Sequence, residues 1–327
     1  MKTRAFWIEK AGGPSAMKFV DVDLPDPGRG QVLLRHTAIG VNMVDVYMRE
    51  GTHHTNPFPG GIGIEGVGVI EAAGRGVTGF KPGDRVAYSG GSGPGSYAQA
   101  RVLSTRSMVK LPSWIDDRDA AAIYSKGKTV QYLFNRTHKL RKGETILFHA
   151  AAGGVGLIAA QWARAVGARM IGTVSTADKA RLAKRYGCHH PVIVTQQDLV
   201  AEAMRLTKGA GVDVVYDSIG KDLWDTSLAA VKRRGLVVCF GFSSGPPPPF
   251  DIDHQGSDKS IYVHRATTKN YMVTDDDDRA SARALFAMMK KGAVKARIGQ
   301  TYPLKDAAQA HIDLVSRKTT GSTVLIP

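Results

Sequence analysis

The chain has 327 residues, enough for one large or two medium domains, each with its own core. Hydrophobic residues make up 43% and charged residues 22%, an ordinary balance for a globular protein, and no apolar run reaches membrane-spanning length. The formal net charge of +15 admits a polyanionic partner, but the basic residues are scattered and no Lys/Arg-rich run is interleaved with aromatics, which speaks against nucleic acid. Two cysteines, Cys188 and Cys239, are too few for a metal site of their own or a disulfide framework, and Cys239 sits in a buried-strand pattern. The N-terminus lacks the apolar core of a signal peptide and reads as a first strand, so a cytoplasmic location is expected.

Residues 1–125 are rich in short strands. Segments 3–8, 19–24, 31–40, 66–74 and 84–88 carry the pattern, separated by turns such as Pro25-Asp-Pro-Gly and Phe80-Lys-Pro-Gly. Frequent turns between short strands indicate an antiparallel, barrel-like β domain, with one helix over 43–49. Ser113 or Asp116 is placed to cap a helix through 120–122, and 129–138 reads as a longer helix. From Thr145 strands and helices alternate. Strands are predicted at 146–149, 169–174, 192–194, 212–217 and 235–241, with helices at 157–166, 178–186, 199–207 and 223–232. Such alternation specifies a doubly wound parallel sheet. The run Gly245-Pro-Pro-Pro-Pro is a stiff loop, and 260–264 a further strand. Asp275-Asp-Asp-Asp forms the acidic start of a helix over 280–291, and 321–327 a final strand.

The chemistry is concentrated at residues 146–156. Ala151, Gly153 and Gly156 occupy the positions of a G-x-G-x-x-G fingerprint, with alanine in the first slot. Glycines let the backbone approach a pyrophosphate, and the following helix presents unpaired N–H groups and a partial positive charge to it. A dinucleotide is therefore the expected ligand. In NAD-binding units an acid ends the second strand and accepts the ribose 2′-OH. Here that strand ends in Ser175 and Thr176, followed by Lys179, and Asp178 comes too late. These donors suit a 2′-phosphate, which points to NADPH.

Further motifs extend over nearly the whole chain. They include Ala38-Ile-Gly-Val-Asn-Met-Val-Asp-Val-Tyr, Gly83-Asp-Arg-Val, Lys126-Gly-Lys-Thr-Val, Phe148-His-Ala-Ala-Ala-Gly-Gly-Val-Gly-Leu, Val215-Tyr-Asp-Ser-Ile-Gly, Phe240-Gly-Phe-Ser-Ser-Gly and Tyr302-Pro-Leu-Lys-Asp-Ala. With them the chain resembles the medium-chain dehydrogenase/reductases, and within these the zinc-free NADPH:quinone oxidoreductases of the ζ-crystallin type. The resemblance implies an α/β protein in which a GroES-like β-rich catalytic domain (1–125, completed by 293–327) accompanies a Rossmann cofactor domain with a doubly wound parallel sheet (126–292). A homodimer joined at the sheet edge is implied as well. Zinc-dependent members carry a Cys ligand where this chain has Asn42, and a His ligand where it has Ile64, beside Glu65.

By the same resemblance Asn42 and Tyr47 flank nicotinamide and substrate, with Asp45 supporting them. Thr129 contacts the cofactor, and Ala152, Gly153, Gly154 and Val155 form the pyrophosphate turn. Ser175 and Lys179 hold the 2′-phosphate, and Ser218 lies near the adenosine. Phe240 and Ser243 meet the nicotinamide half, and Arg265 and Arg317 match positions near the cofactor. Ile193 and Val194 replace an Asn-Tyr pair that packs on the adenosine in relatives. His53 replaces a pocket tyrosine, although the plainer reading of His53 and His54 is a pair of exposed loop histidines. The implied activity is NADPH-dependent reduction of a quinone without a metal. The alternatives are reduction of an activated alkene such as a 2-alkenal, and an RNA-binding or crystallin-like role with NADPH as a ligand.

Overall fold

The computed structural model describes residues 1–53 and 58–327, so His54 lies outside the described residues. These form two compact units. One comprises Met1–Lys128, Met272–Leu285 and Ala296–Pro327, the other Thr129–Tyr271 and Phe286–Lys295.

In the first unit, strands follow the period-2 pattern of a one-sided sheet. Strand β1 (Lys2–Ile8) buries Thr3, Phe6 and Ile8 and pairs antiparallel with β2 (Lys18–Asp23). The long β3 (Gln31–Val41) alternates through Val32, Leu34, His36 and Ala38, then is buried on both faces to Val41. Helix α1 (Met43–Glu50) follows directly and stops at Gly51, which takes the left-handed φ of 73°. Short β4 (Gly60–Gly61) pairs with β1. Strands β5 (Glu65–Ala73), β6 (Arg85–Ser89), β7 (Ala100–Ser104) and β8 (Met108–Lys110) complete the antiparallel sheet, with β5 and β7 on either side of β3. Helix α2 (Asp117–Tyr132) runs on into a π-helical turn at Leu133–Thr137. The two helices expected at 120–122 and 129–138 are thus one element. No Pro interrupts 117–132, Gly127 lies under Leu285, and the capping residue is Asp116, which accepts the N–H of Arg118 at 2.8 Å.

The second unit is a parallel sheet. Its strands are β9 (Thr145–Phe148), β10 (Arg169–Val174), β11 (His190–Ile193), β12 (Val212–Asp217), β13 (Val231–Cys239) and β14 (Tyr262–Arg265), in the order β11-β10-β9-β12-β13-β14. Between them run α3 (Gly154–Val166), α4 (Ala177–Arg185), α5 (Leu199–Leu206) and α6 (Trp224–Ala230), with α7 (Thr268–Tyr271) after β14. Strand β9 is buried at every residue, as expected for a parallel strand covered on both faces. Helix α6 ends two residues before the expected Lys232, because the β-branched Val231 already pairs with Val212 and packs in the core with Leu147, Val215 and Trp224.

Helix α8 (Asp275–Lys290) begins at Asp275, five residues before the expected start, so the acidic run is its first turn. Asp278 is not a solvated dipole partner: it is 1% exposed, pairs with the buried Lys128 and accepts the Ser107 hydroxyl at 2.6 Å. The chain then forms β15 (Ile298–Pro303), α9 (Ala307–Val315) and β16 (Ser322–Ile326). Strand β16 lies parallel to β15 and antiparallel to β3, returning the C-terminus to the first unit. The sequence reading singled out only the last of these three. Among the described residues no helix is long and apolar enough to cross a membrane.

Candidate active site

The fingerprint turn leaves β9 at its C-terminal end, where the strand order reverses, with β10 on one side and β12 on the other. Crevices at such switch points bind ligands in open α/β sheets. The left-handed residue of the turn is Ala150, with φ 55°, and Ala151 in the first fingerprint slot keeps an ordinary φ. Alanine is tolerated there for that reason. Ala151 also fills space that only a glycine opposite can leave: a Cβ on Gly172 would come within 2.5 Å of the Ala151 Cβ. At Gly156 a Cβ would sit 2.7 Å from the Ala151 backbone, so α3 packs against the turn only without a side chain. Gly153 caps α3, and the first N–H groups of the helix, at Gly154 and Val155, have no acceptor within the helix. This cradle fits a pyrophosphate.

Beneath the turn lies a buried chain of hydrogen bonds with one possible direction. Thr173 Oγ1 accepts the Ala150 N–H at 3.0 Å and donates to His149 Nδ1 at 3.2 Å. His149 Nε2 donates to Ser227 Oγ at 2.9 Å, and Ser227 donates to Asp217 Oδ2 at 2.8 Å. Asp217 Oδ1 accepts the N–H groups of Ile219 and Gly220 at 2.7 and 2.9 Å. Burial lowers the His149 pKa, against the opposing charge of Asp217. The network ties the fingerprint turn to the loop after β12, which carries Ser218. Sequence reasoning missed it because its members come from four separate elements.

Several expected cofactor residues stand together at the C-terminal ends of the parallel strands. Ser175 follows β10, and Lys179 Nζ lies 3.3 Å from Ser175 Oγ. Thr176 caps α4 by accepting the Lys179 N–H. Asp178 is exposed and pairs with Arg181. Ser218 follows β12, and its carbonyl accepts the Ser243 N–H at 3.1 Å. Phe240 follows β13, with its ring 5.5 Å from that of Phe148. Arg265 ends β14 and donates to the carbonyls of Cys239 and Ala266, with its guanidinium 5.4 Å over the Phe242 ring. Thr129 is half-buried on α2. In the first unit Arg317 follows α9 at φ 59°, and His53 is half-buried in the bend after α1, rather than exposed.

The remaining expected residues belong to α1. Asn42 caps the helix, and its Nδ2 donates to Glu65 Oε2 at 2.9 Å. Glu65 is fully buried, and its Oε1 accepts the Ser125 N–H at 2.7 Å. The half-buried Tyr47 lies on the same helix. Asp45 is fully buried, and its Oδ2 accepts the Asn42 N–H at 2.8 Å and the Tyr97 hydroxyl at 3.0 Å. Arg49 donates to His311 Nδ1 at 3.1 Å, so His311 Nε2 carries the proton it gives to Tyr97 at 3.0 Å. Burial raises the Asp45 pKa to about 7, against its two hydrogen bonds, and its Oδ1 has no hydrogen-bond partner among the described residues. His311 falls to about 3 through burial and the charge of Arg49. Tyr97 and His311 escaped the sequence reading, since His311 lies 262 residues from Arg49. Among the described residues no group of three or more His, Cys, Asp or Glu is arranged to hold a metal ion.

Residues 28–113 match the alcohol dehydrogenase GroES-like domain family, and residues 154–290 the zinc-binding dehydrogenase family. A quinone oxidoreductase of Pseudomonas aeruginosa is 45% identical over 97% of both chains. A 2-haloacrylate reductase of a Burkholderia species is 40% identical over 98% of both. The crystal structure of Escherichia coli quinone oxidoreductase complexed with NADPH superposes with a TM-score of 0.96 at 40% identity, covering 99% of this chain and all of that one.

Proposed function

The chain belongs to the quinone oxidoreductases of the medium-chain dehydrogenase/reductase superfamily, and on that premise we propose that it reduces quinones with NADPH. The observation that carries the choice of cofactor is the end of β10, where Ser175 and Lys179 stand 3.3 Å apart and the nearest acid, Asp178, is engaged by Arg181. When bound, NADPH supplies the hydride. Gly153, Gly154 and Val155 hold its pyrophosphate on the N-terminus of α3, with Ala152 in the turn, and Ser175 and Lys179 hold the 2′-phosphate. Ser218, Phe240, Ser243 and Arg265 line the cofactor from the strand ends, joined by Thr129 and Arg317. Asn42, fixed by Glu65, and Tyr47 orient the acceptor, and Asp45 fixes the start of α1. The protein's contribution is chiefly positioning.

A second reading, reduction of an alkene conjugated to a carbonyl or carboxylate, is favoured by the 2-haloacrylate reductase relative. Turnover on 1,4-benzoquinone and on a 2-alkenal, each with NADPH and NADH in parallel, tests both. The quinone with NADPH is expected to be fastest; a preference for the alkenal would select the second reading, and a preference for NADH would overturn the cofactor assignment.

We further propose that the protein acts in the cytoplasm and as a homodimer. Strand β14 ends the sheet order, and its apolar side chains Tyr262 and Val263 are 64% and 38% exposed, which supports the dimer. An exposed apolar edge strand is usually covered by a partner. Light scattering should give twice the chain mass, and Tyr262→Lys should shift it to one.

A further inference from the structure

Two lysines, Lys126 and Lys128, lie two residues apart on α2 and meet different fates. Lys128 is fully buried and paired with Asp278. Lys126 is 7% exposed, yet its Nζ has no hydrogen-bond partner among the described residues. The nearest anion is Glu65 Oε2 at 3.6 Å, beyond a good hydrogen bond. Both Glu65 oxygens are engaged elsewhere, one by Asn42 Nδ2 and the other by the Ser125 N–H. At 3.6 Å Glu65 supplies counter-charge without a hydrogen bond to the ammonium. An ammonium taken out of water without acceptors is among the costliest arrangements in a protein, and it points to a ligand that supplies one. Asp45 does not fill the role: its Oδ2 is engaged by Asn42 and Tyr97, its Oδ1 is itself without a hydrogen-bond partner among the described residues, and Lys126 acts on it only through space.

The cluster thus offers a fixed cation next to Asn42, at the start of α1. We propose that Lys126 donates to the oxygen of the hydride acceptor, an electron-poor carbonyl or carboxylate oxygen conjugated to the position that is reduced. The proposal rests on the reductase reading and names the group that recognises its substrate. Two electrons and one hydrogen nucleus arrive as hydride from NADPH, which leaves as NADP⁺. The acceptor's conjugated electron pair moves toward the oxygen held by Lys126, and a proton from solvent completes the reduced product. A donor aimed at developing negative charge acts mainly on the rate of this step.

Single-turnover mixing of the preformed NADPH complex with 1,4-benzoquinone and with 2-chloroacrylate tests this in the parent, Lys126→Met and Lys126→Arg. Lys126→Met should bind NADPH within about twofold of the parent and transfer hydride about 10²–10³-fold more slowly, a loss typical of removing one such donor. Lys126→Arg should recover most of that loss. A larger effect on the quinone would identify a carbonyl oxygen as the partner, and on the acrylate a carboxylate. Unchanged transfer in Lys126→Met, or weakened NADPH binding with unchanged transfer, would overturn the proposal. Should Lys126→Met fail to fold, the parent decides: with ¹³Cε-labelled lysine, the signal absent from the Lys126→Arg spectrum should shift when 2-chloroacrylate saturates the NADP⁺ complex, and a stationary signal overturns the proposal. A parent inert toward both acceptors overturns the reductase reading itself, whereas an active parent with an indifferent Lys126→Met removes only the role of Lys126.

Discussion

At the scale of single residues, the proposed cofactor choice rests on Lys179. A cation and a hydroxyl at the end of β10 would stabilise a 2′-phosphate there, and a carboxylate in the same place would repel it while accepting a 2′-hydroxyl. Lys179→Glu should raise KM for NADPH about 10- to 100-fold, the worth of a charge-assisted hydrogen bond, and leave NADH nearly unchanged. Steady-state kinetics with both cofactors checks it; equal losses for the two would remove Lys179 from the phosphate site. Asp45 makes a prediction about pH. The folded chain keeps its carboxyl protonated to about pH 7, whereas the ordinary value is 3.8. The folded state therefore binds more protons between these values, and Asp45 lowers stability as pH rises through that window. Across it the loss is on the order of 4 kcal/mol, about 1.4 kcal/mol per unit. The buried His36 and His311, both lowered to about 3, act oppositely, withdrawing stability as pH falls below 6.5. Asp45→Asn keeps an acceptor for Asn42 and Tyr97, so urea unfolding should show it gaining on the parent steadily from pH 4 to 7. A difference independent of pH would contradict the burial argument.

At the scale of elements, α8 depends on one pair. Asp278 in its first turn meets Lys128 of α2, and both are buried. Asp278→Ala leaves an ammonium buried without its counter-charge, and about 3–5 kcal/mol of stability should be lost. Denaturant unfolding measures it, and a loss under 1 kcal/mol would mean that water reaches Lys128. This pair also shows why sequence reading falls short. A run of aspartates before a helix reads as dipole compensation, and only packing reveals that one of the four faces inward. The parallel strands were legible because they are short, apolar and punctuated by glycine. Strand β15 and helix α9 were not: β15 alternates between half-buried and exposed residues with none fully buried, and the burial of His311 on α9 depends on Tyr97 and Arg49, far away in the chain.

Across the whole molecule, the doubly wound parallel sheet and an antiparallel β-rich unit were visible in the order of strands, helices and turns, and the family resemblance identified the latter as GroES-like. The fingerprint turn was legible to the residue, because the need for glycine at 156 is local and steric. The polar networks beneath the turn and behind α1 were not, since hydrogen bonds between distant elements leave no periodic mark. Lys126 illustrates the limit: its motif was visible, but that its ammonium is buried beside Glu65 without a hydrogen-bond partner among the described residues follows only from the packing. The central claim is that these residues direct hydride from NADPH to a conjugated acceptor. Anaerobic stopped-flow mixing of the chelator-treated protein and NADPH with 1,4-benzoquinone measures this most directly. Absorbance at the reduced nicotinamide band should fall with a saturable rate well above that in buffer, whereas a rate equal to buffer would contradict the claim.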